Sequence, residues 1–208
     1  MSFVLMSLFI GLLVSVAGCQ SERSTSSLAG ATSVPLLPIP RDVQRIAVVY
    51  PKSAIPDLAD AYNRLEGAAF QLKRRRPGLK IVDRNHLPVV LQEHRFQLAG
   101  SVADDSAVRI GRVLGVDSVL IYRIDGPSHR DRMWARSYQD LPPVTITSKI
   151  IRVESAEVLY HSVVVAKIGE MASWGWTLAD HTDFHRLSRE ALERGIMQTV
   201  LELRQAFE

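Results

Sequence analysis

The sequence predicts an α/β fold, a mixed β-sheet with helices packed on it, in the element order β-α-β-α-α-β-β-β-α. Short apolar runs alternate with helical apolar stripes through the first part of the chain, and two long β-branched runs follow one another around residue 155. Hydrophobic residues make up 47% of the 208 residues, which is enough for a packed core and excludes a wholly disordered chain.

The first half of the predicted domain alternates strands with helices. Its elements, in order, are a strand over residues 45–50, a helix over 58–72, a strand over 80–83, helices over 87–98 and 104–114, and a strand over 118–124. Pro51 closes the first strand, and Pro77 ends the first helix. Asp104 or Asp105 can cap the last of these helices, and Gly115 ends it.

The second half is predicted to be a hairpin between two loops, followed by a helix. Its elements are a polar loop over residues 126–143, strands over 144–153 and 158–167 joined by four residues, a second loop over 169–180, and a closing helix. Trp134 lies in the first loop, and Trp174 and Trp176 lie in the second. The apolar stripe from Leu192 to Phe207 has helical spacing and predicts the closing helix.

The amino terminus has the pattern of a lipoprotein signal peptide. Residues 3–17 carry no charge and are too few for a membrane-spanning helix, which needs about 20 residues. Val16, Ala17 and Gly18 are small enough to lie extended in a peptidase cleft, and the thiol of Cys19 can then carry a diacylglyceryl thioether. We expect a bacterial lipobox cleaved before Cys19, and the alternative is an incidental cysteine in a plain signal peptide.

The first two residues supply no Lys or Arg to the signal peptide, although this region is usually positive. Either the true start lies upstream or the amino terminus supplies the charge.

The predicted organisation is a signal peptide over residues 1–18, a lipidated cysteine and flexible tether over 19–40, and a periplasmic domain over 41–208. Gln20 favours the outer membrane, because an Asp after the cysteine resembles an inner-membrane retention signal. The inner membrane is the alternative.

The charge and cysteine content exclude several classes of function. Cys19 is the sole cysteine, which excludes an internal disulfide and a multi-cysteine metal site. The net charge of +3 is too weak a bias to indicate nucleic-acid binding, and the periplasm holds no nucleic-acid partner. The one basic run, Arg74-Arg75-Arg76, suits the dipole of a helix carboxyl end, with anionic lipid head groups as the alternative partner.

Five segments carry a resemblance to a known family. They are Val82-Asp83-Arg84-Asn85-His86-Leu87, then Leu91-Gln92-Glu93, Leu98-Ala99-Gly100, the run IGRVLGVDSVL over 110–120 and the run IIRVESAEVL over 150–159. In this order they resemble the CsgG-like bacterial lipoproteins, which include the curli secretion channel. The resemblance covers roughly residues 46–165. It implies an α/β fold of the anticodon-binding-domain type and an envelope role, either as an outer-membrane secretion pore or as an activator of a peptidoglycan synthase.

The sequence departs from the pore members of that family. A pore subunit needs two β-hairpins with about 10 alternating residues per strand, and neither residues 126–143 nor 169–180 offer them. The first of these segments also carries Arg130, Arg132 and Arg136, which should not face lipid. Residues 51–57 are too short for the constriction loop of the channel. We therefore expect a non-pore relative.

Enzyme chemistry is not expected. His181 and His185 have the i, i+4 spacing of a metal pair, but helix-capping polar residues are the preferred interpretation. His94 lies on an apolar stripe and is expected to be a core or boundary residue. The sequence has no nucleophile elbow and no Gly-rich phosphate loop, and no cofactor is expected.

The tryptophans are the candidate partner-binding residues. Trp174 and Trp176 flank a single glycine, and exposed tryptophans are enriched at protein interfaces and at membrane surfaces. The alternative for these residues and for Trp134 is packing under the sheet. The sequence thus predicts a lipid-anchored periplasmic binding or assembly module. Acyl chains on Cys19 hold it to the membrane, and the partner is an envelope protein or further copies of the same chain.

Overall fold

Five strands form one open, mixed sheet. The structure is a computed structural model that describes residues 38–82, 104–169 and 181–208, with the backbone alone for 181–183. The strands are β1 Arg45–Val49, β2 Lys80–Val82, β3 Ser118–Asp125, β4 Val144–Arg152 and β5 Val158–Ala166. Their order across the sheet is β2-β1-β3-β4-β5. The first three are parallel, and β4 is antiparallel to both of its neighbours.

Helices cover both faces of this sheet. They are α1 Pro56–Gln71, α2 Asp104–Leu114, α3 His129–Trp134 and α4 His181–Ala206, with 3-10 turns at Leu72–Arg74 and Tyr138–Asp140. The predicted α/β class, a mixed sheet with packed helices, is confirmed. Within the described ranges, no helix is both long enough and apolar enough to span a bilayer.

The strands are buried on both faces because each face has its own core. On one face, α1 and α4 pack against alternate residues of the central strands, such as Ile46, Leu120 and Ile146. On the other face, α2 packs against the residues in between, such as Ala47 and Val119. This explains why β1 and β3 read as continuous apolar runs in the sequence.

The chain enters the domain beside the carboxyl end of α4. The Ile39 side chain is 2% exposed, and its amide donates to the carbonyl of Ala206 at 2.8 Å. Arg76 donates to the carbonyl oxygens of Ile39 and Pro40, both at 2.9 Å, and its guanidinium lies over the Phe207 ring. Packing therefore includes Ile39, two residues before the predicted domain start.

The same contacts show what two residues of the basic run do. Arg76 holds the entering chain, and Arg75 forms an ion pair with Glu208 at the end of the chain. Each of these two side chains has a partner inside the domain. Anionic lipid was the alternative partner predicted for this run. For Arg75 and Arg76 that alternative has less support, because both side chains already have partners in the domain.

One predicted element was wrong, and one lies outside the described residues. The polar loop over 126–143 contains α3 and a 3-10 turn. The helix went unpredicted because α3 buries none of its residues and so has no apolar stripe. Gly115, with a φ of 60°, follows α2 as predicted. The helix predicted over 87–98, with His94, lies outside the described residues.

Candidate partner-binding surface

The largest exposed apolar side chains of the described chain are at the end of α3. Trp134 is 75% exposed and its neighbour Met133 is 60% exposed. We call this pair the Met133–Trp134 knob. Burial of large apolar surface is the main source of binding energy between proteins, so an exposed Trp beside an exposed Met is a candidate contact surface.

Two serine–aspartate pairs fix the backbone around the knob. At the start of α3, the Asp131 amide donates to Oγ of Ser128 at 3.1 Å, and the Ser128 amide donates to Oδ2 of Asp131 at 2.8 Å. After the knob, the amides of Arg136 and Ser137 both donate to Oδ2 of Asp140 at 3.0 Å. The first pair caps the start of α3 and the second caps the 3-10 turn that follows the knob, so hydrogen bonds rather than burial fix the backbone on both sides of the knob.

Both aspartates are more acidic than usual. The Ser128 hydroxyl and amide lower the pKa of Asp131, and the amides of Ser137 and Arg136 lower the pKa of Asp140. In each case hydrogen bonds favour the charged carboxylate over the neutral acid. Both carboxylates are thus occupied by the backbone at neutral pH.

A tyrosine ring joins this segment to the end of β5. The ring of Tyr138 lies against Gly169, whose φ is 74°. A Cβ at Gly169 would come 2.7 Å from Cε2 of Tyr138 and closer still to Cδ2. Only glycine leaves room for the ring there, and only glycine adopts this backbone conformation without strain.

Strand pairing places the segment 126–143 and the end of β5 at one end of the sheet. Asp125, the last residue of β3, pairs with Thr145, which pairs with Val165 near the end of β5. The segment 126–143 and residue Gly169 therefore leave the sheet at the same end. Trp174 and Trp176 follow within seven residues of Gly169 and lie outside the described residues.

Basic side chains surround the knob. Arg130 and Arg136 are exposed and Arg132 is partly exposed. The nearest acidic strand residue, Asp125, is paired with Arg123 at 2.8 Å. The charged residues around the knob are therefore three arginines and the two capping aspartates, Asp131 and Asp140. Trp and Arg are both enriched among residues that dominate binding energy.

The predicted histidine pair has a structural contact. Nε2 of His185 lies 3.3 Å from Oδ2 of Asp57, which joins the first turns of α4 and α1. The side chain of His181 lies outside the described residues. Among the described side chains, no three His, Cys, Asp or Glu residues come together as a metal site.

A shallow cavity of about 390 Å³ lies on the α2 face of β3 and β4. Its charged groups pair with one another, Lys149 with Asp104 at 2.9 Å and Arg123 with Asp125 at 2.8 Å. Its lining residues are Asp104, Ile121, Arg123, Asp125, Thr147 and Lys149. This lining offers no nucleophile with an adjacent base.

The sequence singled out Trp134 as a candidate binding residue, but the groups that position it were not predicted. The pattern Ser-x-x-Asp occurs at Ser128 and again at Ser137, and it is a sequence signature of a capped helix start. That pattern could have predicted both short turns. The contact between Tyr138 and Gly169 joins positions 31 residues apart, and no local pattern in the sequence signals it.

No family model matches the chain, and no curated protein matches it. Solved structures match weakly. The LpoB C-terminal domain from Salmonella enterica is 12% identical, with 63% of this chain and 85% of that chain covered and a TM-score of 0.40. Lipoprotein GNA1162 from Neisseria meningitidis is 15% identical, with 64% and 86% covered and a TM-score of 0.41. A PelC dodecamer from Paraburkholderia phytofirmans is 15% identical, with 82% and 94% covered and a TM-score of 0.39.

Likenesses of this size do not assign a function or a family. The resemblance to the CsgG-like lipoproteins stays a prediction.

The residues of the signal peptide and the lipidated cysteine, from Val16 to Cys19, lie outside the described residues.

Proposed function

We propose that this protein is a lipid-anchored lipoprotein of the bacterial cell envelope that recruits a protein partner through the Met133–Trp134 knob. Cys19 carries the acyl chains, and the domain faces the periplasm from the outer membrane. The observation that carries the proposal is the pair of large apolar side chains held in solvent by two capping arrangements. The protein acts as a binding module and not as an enzyme.

The energetics of the knob support binding. A Trp side chain has about 200 Å² of surface, so covering an exposed Trp134 contributes up to about 4 kcal/mol at about 25 cal/mol per Å². The hydrogen bonds of Asp131 and Asp140 already order the backbone on both sides of the knob. A partner therefore meets a surface that loses little conformational entropy on binding.

The conformation of residues 126–143 favours recruitment over a pore. In a curli-type pore subunit, this segment is one of two positions at which a membrane-crossing hairpin is expected. Here it contains α3 and the 3-10 turn Tyr138–Asp140. A peptidoglycan-synthase activator is the recruiting role that the family resemblance implies, and we propose it as the first partner class to test.

The test compares proteins that co-purify with the lipidated full chain. Trp134→Ala is the variant, and Met197→Ala is the matched control because Met197 is 56% exposed on α4. All three proteins are extracted from membranes in mild detergent, and co-purifying envelope proteins are quantified by mass spectrometry. We expect Trp134→Ala to reduce recovery of a small set of proteins about tenfold, the effect of losing about 1.4 kcal/mol. Met197→Ala should recover the wild-type set.

Other results would contradict the proposal. If wild type and Trp134→Ala co-purify with the same proteins in the same amounts, the knob is not part of the recruiting surface. If Trp134→Ala instead lowers only binding to vesicles containing anionic lipid, the knob is a membrane contact and not a protein contact. Ion conductance of the purified protein in planar bilayers would favour the secretion-pore alternative.

A further inference from the structure

β5 is a free edge of the sheet within the described chain. It pairs with β4 alone, and the described residues make no other backbone hydrogen bond to positions 158–166. No described residue therefore pairs with the outward N–H and C=O groups of this nine-residue strand, and such groups can pair with another strand. Residues on α4 cover the inner face of β5, where Oγ of Ser162 donates to Glu202.

The outer face of this edge carries two exposed valines and the exposed His161. Val163 is 50% exposed and Val165 is 55% exposed, and both point away from the α4 side of the sheet. Natural proteins protect an edge strand with a proline, a lysine within the strand or an inward-pointing charge. β5 has none of these between Val158 and Ala166. Pairing with another strand would cover the exposed valines and satisfy the outward backbone groups of this unprotected edge.

Charges at the two ends of β5 are placed for a second copy of the same strand. Glu157 precedes β5 and Lys167 follows it, both exposed, and Ser162 is equidistant from them. Within the chain, the Glu157 carboxylate has a long ion-pair contact, at 3.8 Å, with Nε of Arg152. We propose that β5 pairs antiparallel with β5 of a second copy, centred on Ser162, so that the two sheets continue as one of ten strands. This interface is isologous, because the same strand serves on both sides.

The register of this strand pairing is inferred by comparing which residues each possible register places opposite one another. Centred on Ser162, the pairing sets Lys167 of each copy opposite Glu157 of the other, and sets Leu159 opposite Val165. Centring on His161 sets Lys167 opposite Ser155, and centring on Val163 sets it opposite Leu159. Opposite charges across an antiparallel pair stabilise it, and a charge opposite leucine does not. Of these three registers, the Ser162 register alone opposes the two charges.

The first test measures the oligomeric state of the lipidated full chain in mild detergent by native mass spectrometry over a concentration series. The wild type is expected to be a dimer. Val163→Lys places an added lysine opposite His161 of the other copy and diagonal to the other added lysine on the same face, and is expected to weaken dimerisation about tenfold. Val163→Thr keeps a β-branched residue and should remain a dimer. Met197→Lys, the same change on α4, should also remain a dimer.

A monomeric wild type, or a Val163→Lys protein that stays as associated as wild type, would overturn the proposal. So would a larger ring that persists in Val163→Lys. Thermal unfolding of each variant shows whether the monomer still folds, since Val163 is half exposed and its replacement removes little packing.

The second test addresses the register by exchanging charges. Glu157→Lys and Lys167→Glu each create like charges at both ends of the pair, and each should weaken dimerisation several-fold. The double variant restores opposite charges and should dimerise like wild type. Failure of the double variant to recover would overturn the Ser162 register. The proposal is independent of the knob, so Trp134→Ala should leave the dimer intact.

Discussion

Single residues decide whether the knob has a fixed position. Gly169 accepts the Tyr138 ring because it lacks a Cβ, and its φ of 74° is available to glycine at little cost. Tyr138 lies four residues after Trp134 and six before Val144, where β4 begins. One ring contact thus ties the middle of the segment 126–143 to the far end of β5.

Gly169→Ala is expected to destabilise the protein. The added methyl group strains the backbone and collides with the Tyr138 ring, so the free energy of unfolding should fall by about 1–3 kcal/mol. Urea denaturation measures this change. Gly67→Ala is the control, because Gly67 lies in α1 with open space at its Cβ position, and alanine there should raise stability by about 0.5–1 kcal/mol. Equal stability of Gly169→Ala and wild type would contradict the ring contact.

At the scale of elements, the helices and strands that bury apolar side chains were predictable from the sequence. The strands β1, β3, β4 and β5 and the helices α1, α2 and α4 each place a periodic apolar face against the sheet, and periodicity is what a sequence displays. α3 buries nothing, and it forms because its caps satisfy backbone amides that would otherwise lack partners. A helix that is stabilised by capping alone has no apolar periodicity, and its only sign in the sequence is the short Ser-x-x-Asp pattern.

Acid should therefore loosen α3 before the rest of the domain. The hydrogen bonds from Ser128 lower the pKa of Asp131 in the folded protein, so its stabilising contribution is present above the unfolded value of 3.8. That contribution is lost as pH falls through the lower, folded pKa. Hydrogen exchange of the α3 amides, relative to those of α4, measures the loss.

Asp131→Asn supplies the comparison for α3. At neutral pH this variant should already show the faster α3 exchange that wild type shows only in acid, because the amide group replaces a charged acceptor with a weaker neutral one. Its exchange should also depend less on pH. Wild-type protection of α3 in the Asp131→Asn protein at neutral pH would contradict the capping account.

At the scale of the whole molecule, the sequence predicted the class of fold but not which surfaces remain open. The order β2-β1-β3-β4-β5 leaves β5 at an edge, and strand order depends on contacts between residues far apart in the chain. The pairing also puts the end of β3 and the end of β5 at the same end of the sheet, where the segment 126–143 and Gly169 leave it. Neither feature is visible from local patterns.

The lipid anchor and the knob together make the central claim, which is recruitment at the membrane. In the proposed function, two or more acyl chains on Cys19 hold the protein to the membrane, where a single chain would give only a marginal anchor. The sheet end that carries the Met133–Trp134 knob is the proposed partner contact. Release of the protein from the membrane should separate the knob from a membrane-bound partner.

The most direct measurement is photo-crosslinking in intact cells from a reactive amino acid at position 134, with position 197 as the control. We expect a discrete adduct with an envelope protein from position 134, and none from position 197. The adduct should decline in a Cys19→Ser background, where the protein loses its acyl chains. No adduct from position 134, or the same adducts from both positions, would contradict recruitment through the Met133–Trp134 knob.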